Sequence, residues 1–307
     1  MRAEPWDNRV PWDHNGPIRP VVYPTRPGEE LVDEFSPAKP KRKIGGPRPG
    51  MFQGLRMTGS WIPGNDVSNF GLSDVDINLT LGFPFPSRDA PLIITPGFQA
   101  WSLDGPQGPD MPARVYDAYL KFRTMRKLGQ RWGMDLAVTP GWHSDFQTSN
   151  DAALRITGHG FLAYDWPCAR ENVQVVMGFV YLDRNDVSWL PAAGLIWRIN
   201  EDSRLEIIMP RPRYLRRICA SECDEWWWYL AGEFGGGNWA IERADGSQDV
   251  ASYRDWRVLM GWEHKVCDGF GSHFEIGYVF GRNIEYESAT PDFEPDSTLM
   301  VRAGVTY

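Results

Sequence analysis

The chain has 307 residues, enough for one large domain or two small ones, with a formal net charge of −8 and a pI near 5.2. That balance argues against a nucleic-acid surface, which needs a basic face, and no stretch approaches the roughly 18 consecutive apolar residues of a spanning helix. A mean hydropathy of −0.42 looks soluble, but transmembrane barrels look soluble too, because half of each strand faces a polar interior. Fifteen Trp, 15 Phe and 11 Tyr are many for an ordinary soluble domain and suit aromatic girdles at membrane–water interfaces.

Residues 1–50 hold 10 of the 25 prolines and a basic cluster at Lys39, Lys41, Arg42 and Lys43. Proline at this density blocks helices and sheet ladders alike. It predicts a periplasmic tail, mostly extended or disordered, with Glu29–Phe35 as a short helical turn. The start, Met1-Arg-Ala-Glu-Pro-Trp6, shows no signal peptide. A secreted barrel would then be a mature form with an added Met, or its start codon lies further upstream.

From Met51 to Tyr307 the chain becomes a series of alternating strands. Leu55, Met57 and Trp61 alternate with Arg56, Thr58 and Ser60; Val75, Ile77, Leu79, Leu81 and Phe83 with Asp76, Asn78, Thr80 and Gly82. Tyr116–Phe122, Met134–Trp142 and Leu154–Tyr164 repeat the pattern, as do Trp256–Trp262 and Phe274–Phe280. In the last strand Leu299, Val301, Ala303, Val305 and Tyr307 share one face, and Met300, Arg302, Gly304 and Thr306 the other.

Short connections (126–131, 167–172, 200–203, 220–224, 265–269) alternate with longer ones rich in Gly, Pro and Asp (63–73, 103–112, 143–151, 235–252, 285–296). This is the pattern of tight turns at one end of a barrel and loops at the other. Counting back from the C-terminus gives fourteen strands if Leu205–Met209 and Tyr214–Cys219 form a separate hairpin around Pro210-Arg-Pro212, and twelve if not. The expected fold is an all-β, antiparallel, up-and-down transmembrane barrel. A soluble sandwich would have shorter strands, and a propeller would show a 40–50-residue repeat.

The stretch Gly46-Pro-Arg-Pro-Gly-Met-Phe-Gln-Gly-Leu-Arg-Met-Thr-Gly-Ser-Trp-Ile-Pro-Gly64, with Met209-Pro-Arg-Pro-Arg-Tyr214, Leu230-Ala-Gly-Glu-Phe-Gly-Gly-Gly237 and the C-terminal strand, resembles an uncharacterised family of bacterial outer-membrane β-barrels, known only as a domain of unknown function. The resemblance runs from about Lys43 to Tyr307. It implies a fold and an outer-membrane location, and no substrate. A chain closing on such a strand looks like those barrels, whose final strand seals the cylinder and carries the sorting signal read by the barrel assembly machinery.

On the strand map Cys168, Cys219, Cys223 and Cys267 all lie in or beside the short turns. An oxidising periplasm allows disulfides there, and Cys219 and Cys223 are close enough to pair, but four cysteines permit three connectivities. Free thiols and a zinc site are the alternatives. The inward-facing ionisable set is Arg56, Asp76, Asp117, Lys121, Arg123, Asp135, Arg155, His159, Glu206, Glu233, Arg257, Glu263, Glu275 and Arg302. Either it lines a water-filled lumen, or its charges satisfy one another in a plugged one.

His143-Ser144-Asp145 suggests a hydrolase, but adjacent strand residues point to opposite faces, so the trio reads as a strand end entering a loop. The acidic loop Glu285–Asp296 lacks calcium-loop spacing, and Gly235-Gly-Gly237 precedes no helix. Trp226 and Trp228 should face lipid and Trp227 the interior. No enzyme and no cofactor are expected; the partners are outer-membrane lipid and the assembly machinery. Three functions remain open: a passive channel or transporter for small solutes, a structural or anchoring barrel with a plugged lumen, and an outer-membrane lipid hydrolase.

Overall fold

The structure, a computed structural model, describes residues 48 and 50–307 apart from 65–69, 88, 105–109, 148–150, 167–171, 185–186, 210, 268 and 289. The expected tail at 1–50 therefore lies almost wholly outside the described residues. Fourteen strands follow: β1 (Phe52–Ile62), β2 (Gly71–Ser87), β3 (Ala90–Asp104), β4 (Arg114–Lys127), β5 (Trp132–Ser144), β6 (Leu154–Asp165), β7 (Asn172–Tyr181), β8 (Trp189–Asn200), β9 (Ser203–Ile208), β10 (Arg213–Ala220), β11 (Asp224–Glu242), β12 (Gln248–Val266), β13 (Gly271–Tyr286) and β14 (Thr298–Thr306). Each pairs antiparallel with its sequence neighbours. β1 pairs with β14 from Arg56–Thr306 to Trp61–Val301, which closes the ring. The separate hairpin around Pro210-Arg-Pro212 exists as β9 and β10, so the fourteen-strand count holds; Pro210 itself is not among the described residues.

Period-two alternation sorts the side chains. On β12, Tyr253, Asp255, Arg257 and Leu259 are buried inside, while Trp256, Val258 and Met260 are exposed outside. Every strand exposes at least one large apolar side chain, for example Leu55, Ile77, Phe98, Val138, Ile276 and Leu299. Aromatic rings gather at two levels. At the end with the short turns, Trp132 packs on Tyr164, and Phe52 and Phe270 on Tyr307. At the end with the loops, Phe179 and Tyr181 pack on Trp189, and Phe234 on Trp256. Trp226 is exposed, and Trp227 packs against the buried core.

β7 and β8 depart from the polar-inside pattern. Val176, Val180, Ala192 and Ile196 face inward and are buried, forming an apolar cluster with Phe161, Ala163 and Ile208.

The stretch at 235–252, expected as a loop, is strand for most of its length, and only 243–247 form the turn. β11 and β12 are the longest strands, 19 residues each, and pair in register from Asp224–Val266 to Glu242–Gln248. Their Gly and Asp content comes from a bend within the ladder. Gly236 has φ +125°, a conformation that side chains rarely adopt, and a Cβ there would sit 1.9 Å from the Tyr253 carbonyl oxygen. Gly235 and Gly237 have no more room, against Arg257 and the Trp239 ring. Beyond the bend Asn238 to Ile241 are all buried. At the turn, the Ser247 hydroxyl and N–H donate to Asp245 at 2.6 and 2.9 Å and hold its carboxyl below the usual carboxylate range.

Cys223 and Cys267 form a disulfide with Cα atoms 4.9 Å apart, joining the β10–β11 and β12–β13 turns. Cys219 is an exposed free thiol, so it does not pair with Cys223, and Cys168 lies outside the described residues. With Cys223 and Cys267 bonded to each other, a zinc site using all four cysteines is excluded. Among the described residues no cluster of His, Cys, Asp and Glu could hold a metal.

Two outcomes test this account. Gly236→Ala should destabilise the barrel by about 1–3 kcal/mol through the forced φ, read as a lower urea unfolding midpoint. Gly129→Ala, with nothing within 4 Å of the new Cβ, should leave the midpoint unchanged. In thiol mapping by mass spectrometry, Cys219 should react without reductant and Cys223 and Cys267 only after reduction.

Candidate functional site

Past Gly236 the end of β11 folds into the lumen together with β12, which stays laddered to β13 as far as Ala251–Tyr286. Ala240 bridges Ser144 of β5, although β6 to β10 lie between β11 and β5 in the ring. The Asp145 N–H donates to the Ala240 carbonyl at 3.2 Å, and the Glu242 N–H donates to the Asp145 carboxylate at 2.8 Å. Trp239 is fully buried, packs edge-on against Trp101 of β3 at 5.4 Å, and donates its indole N–H to Asp117 of β4 at 2.8 Å. Trp101 donates to the other Asp117 oxygen at 2.8 Å, and His143 Nδ1 lies 2.6 Å from Asp117. One carboxylate thus gathers two indoles and an imidazole, which offsets the cost of burying its charge.

The hairpin fills the loop end on one side. Trp239, Ile241, Ala251 and Tyr253 pack with Ile62, Phe70, Leu72, Leu103, Val115 and Ile284 in a continuous apolar core. Arg282 of β13 anchors this packing by donating to the Phe70 carbonyl at 2.9 Å and the Tyr253 hydroxyl at 3.1 Å.

Below this roof lies a charge network. Arg302 donates to Glu275 at 2.6 Å and to Glu233 at 2.9 Å. Arg257 donates to Glu233 at 3.1 Å and, through two nitrogens, to Asp255 at 2.7 and 2.9 Å. Tyr253 also donates to Asp255, and Tyr229 to Glu275. Arg211 places Nη2 3.4 Å from both Glu233 and Glu275. Two further groups stand on other walls: Arg123 and His159 flank Asp135 at 3.2 and 3.4 Å, and Arg204 and Arg213 flank Glu206 at 2.6 and 2.8 Å.

Most of the ionisable residues expected inside are buried. Arg56, Arg155 and Glu263 are half-buried. Arg56, Asp76, Asp117, Lys121, Arg155, His159, Glu233, Arg257 and Arg302 line one internal cavity of about 260 Å³. Arg123, Asp135, Glu206 and Glu275 belong to the ion-pair groups, and Glu263 pairs with Lys265 at 3.6 Å. Sequence reasoning missed Arg211, which reaches the lumen from a turn and so carries no strand periodicity. It also missed Trp239, Tyr253 and Asp255, which lie in the segment expected as a loop or just beyond it. His143, Ser144 and Asp145 go separate ways: His143 to Asp117, Ser144 to the Phe146 N–H, and Asp145 to the hairpin.

These features define an antiparallel fourteen-stranded β-barrel with its lumen crossed by its own longest hairpin. Residues 98–292 match the family described as Domain of unknown function (DUF6268), and the chain belongs to that family. No curated protein matches it. Among solved structures a triple mutant of Rh. blastica porin is similar over 84% of this chain and 99% of that one, at 6% identity and a TM-score of 0.19.

Removing one partner of a buried ion pair typically costs roughly 3–5 kcal/mol. Glu275→Ala should destabilise the barrel by about that much, measured by urea unfolding, because it strips Arg302, Arg211 and Tyr229 of one acceptor together.

Proposed function

We propose that this chain is an outer-membrane β-barrel with an occluded lumen, serving as a membrane-embedded anchoring and binding barrel in place of an open pore. The observation that carries the reading is the passage of β11 across the lumen, held by Ala240 on Ser144, Trp239 on Asp117 and Glu242 on Asp145. Most charges inside the ring pair with one another, as burial in a confined interior requires.

A membrane location is supported by the outward face. Apolar side chains on all fourteen strands would be costly to hold in water, and they lie between two levels of aromatic rings, as in barrels that cross a bilayer. The short turns, the disulfide and the chain terminus at Tyr307 would then face the periplasm.

Passage of small solutes requires this inward-folded end to withdraw, and because β12 stays laddered to β13 the upper ends of β11, β12 and β13 would move together. Planar-bilayer recording tests the reading. The intact protein should give no steady conductance above a lipid baseline. Trp239→Ala combined with Asp145→Ala removes two of the three pins and should produce discrete conductance steps. Large steady steps from the intact protein would replace the occluded reading with an open channel.

A further inference from the structure

Among the described residues the wall has a break between β8 and β11. β9 and β10 are the shortest strands, six and eight residues. β8 pairs with β9 only from Gly194–Ile208 to Asn200–Ser203, leaving Trp189 to Ala193 with β7 alone. β11 meets β10 no further than Arg213–Ala231, plus one bond from the Gly232 N–H to the Pro212 carbonyl. Above the β9–β10 turn, among the described residues, no strand joins β8 to β11. Pro191 stands in the unpaired part of β8, where a missing N–H costs no ladder bond on the open side. Arg184, from the β7–β8 connection, straddles the break by donating to the Gly235 and Tyr253 carbonyls at 3.3 and 2.8 Å.

Behind the break lies the 260 Å³ cavity, and its lining has two chemistries. Phe161, Val180, Leu182, Leu190 and Phe234 supply apolar surface, the first four within the cluster of β6 to β9. This is the part of the inner wall that lacks the usual polar residues. The rest of the lining holds seven Arg and Lys against five Asp and Glu, with Asp255 and Glu275 just behind it pairing with Arg257, Arg211 and Arg302. Arg211 sits at the break itself, 5% exposed, with Nε and Nη1 buried and lacking any hydrogen-bond partner. Arg155, on β6, also lines the cavity with its Nε unpartnered. Buried guanidinium donors of this kind call for acceptor oxygens.

We infer that the break between β8 and β11 is a side entrance from the bilayer, and that the cavity behind it binds an anionic single-chain amphiphile, a medium- or long-chain carboxylate. Its carboxylate accepts from Arg211, and its chain lies against Val180, Leu182, Leu190 and Phe161. The volume lies just below the roughly 300–1,000 Å³ of drug-sized ligand sites, which suits one chain and excludes a two-chain phospholipid. Arg184 is the strap over the entrance. This inference rests on the reading of the chain as a membrane barrel.

The test uses the full chain in nanodiscs of zwitterionic lipid, with empty discs as the blank and 11-(dansylamino)undecanoic acid as the fluorescent probe. Dodecanoate should displace the probe; dodecanol, dodecyltrimethylammonium and acetate should not. Arg211→Gln should weaken probe binding by about tenfold or more, as expected when a charge-assisted contact is lost. Val180→Trp fills the chain site and leaves every charge in place, so it should weaken binding as well. Arg184→Ala should speed association. Heat-modifiable migration checks that each variant is a folded barrel. A folded barrel that binds no probe, or that binds dodecanol as well as dodecanoate with Arg211→Gln unaffected, overturns the inference and leaves the barrel reading standing. A chain that shows no heat-modifiable form and stays out of the membrane fraction overturns both.

Discussion

The closure of β1 on β14 is the constraint from which the rest follows. Six residue pairs, Arg56–Thr306 to Trp61–Val301, turn a sheet into a ring, so the row of unpaired backbone groups that an open sheet would present at its first and last strands is gone. Once the ring is closed, alternation leaves each strand one face outside and one inside. Apolar side chains such as Leu55, Val138 and Leu299 then have to face outward together, and Arg56, Asp135 and Arg302 have to face a confined interior. A confined interior tolerates charge only in compensated groups, which explains why Glu233, Glu275, Arg257 and Arg302 form one network.

The hairpin β11–β12 is the departure from this plan. Nineteen residues per strand exceed what the wall uses, and three consecutive glycines let the excess fold inward. Folding inward needs an apolar counterpart, which Ile62, Leu72, Trp101 and Val115 provide, and a polar anchor, which Asp117 provides. The long hairpin stands beside the short one, β9–β10. An overlong strand pair that bends in and a neighbouring pair that ends early together leave the unpaired edge of β8. The roof and the break in the wall are two results of one mismatch in strand length.

The strand series and its inward charges were legible because each depends on local period-two patterning, and its parity because short and long connections alternate. Val75 to Phe83 announces its outer face without reference to any other segment. The side of the turns followed from counting back from Leu299–Tyr307, and that count placed the cysteines beside the turns. Residues 235–252 misled because Gly, Asp and Ser mark a loop by composition, whereas here the glycines serve close backbone packing inside a ladder: a Cβ at Gly236 would strike Tyr253. β7 and β8 were hard to read for the opposite reason. Val176, Val180, Ala192 and Ile196 are apolar on the face where polar residues were expected, so alternation is blurred.

By itself the sequence determined an up-and-down series of strands with an apolar outside and a charged inside, since those properties reside in alternation along each strand, and an even count from the alternation of short turns and long loops. Only the tertiary structure decided which charges meet, which two cysteines bond, and that the lumen is crossed. Glu233 meets Arg302 across 69 residues, Cys223 meets Cys267 across 44, and Trp239 meets Asp117 across 122. Distances of that kind are set by shear, strand length and the bend at Gly236, which act through space and leave no periodic trace in the chain.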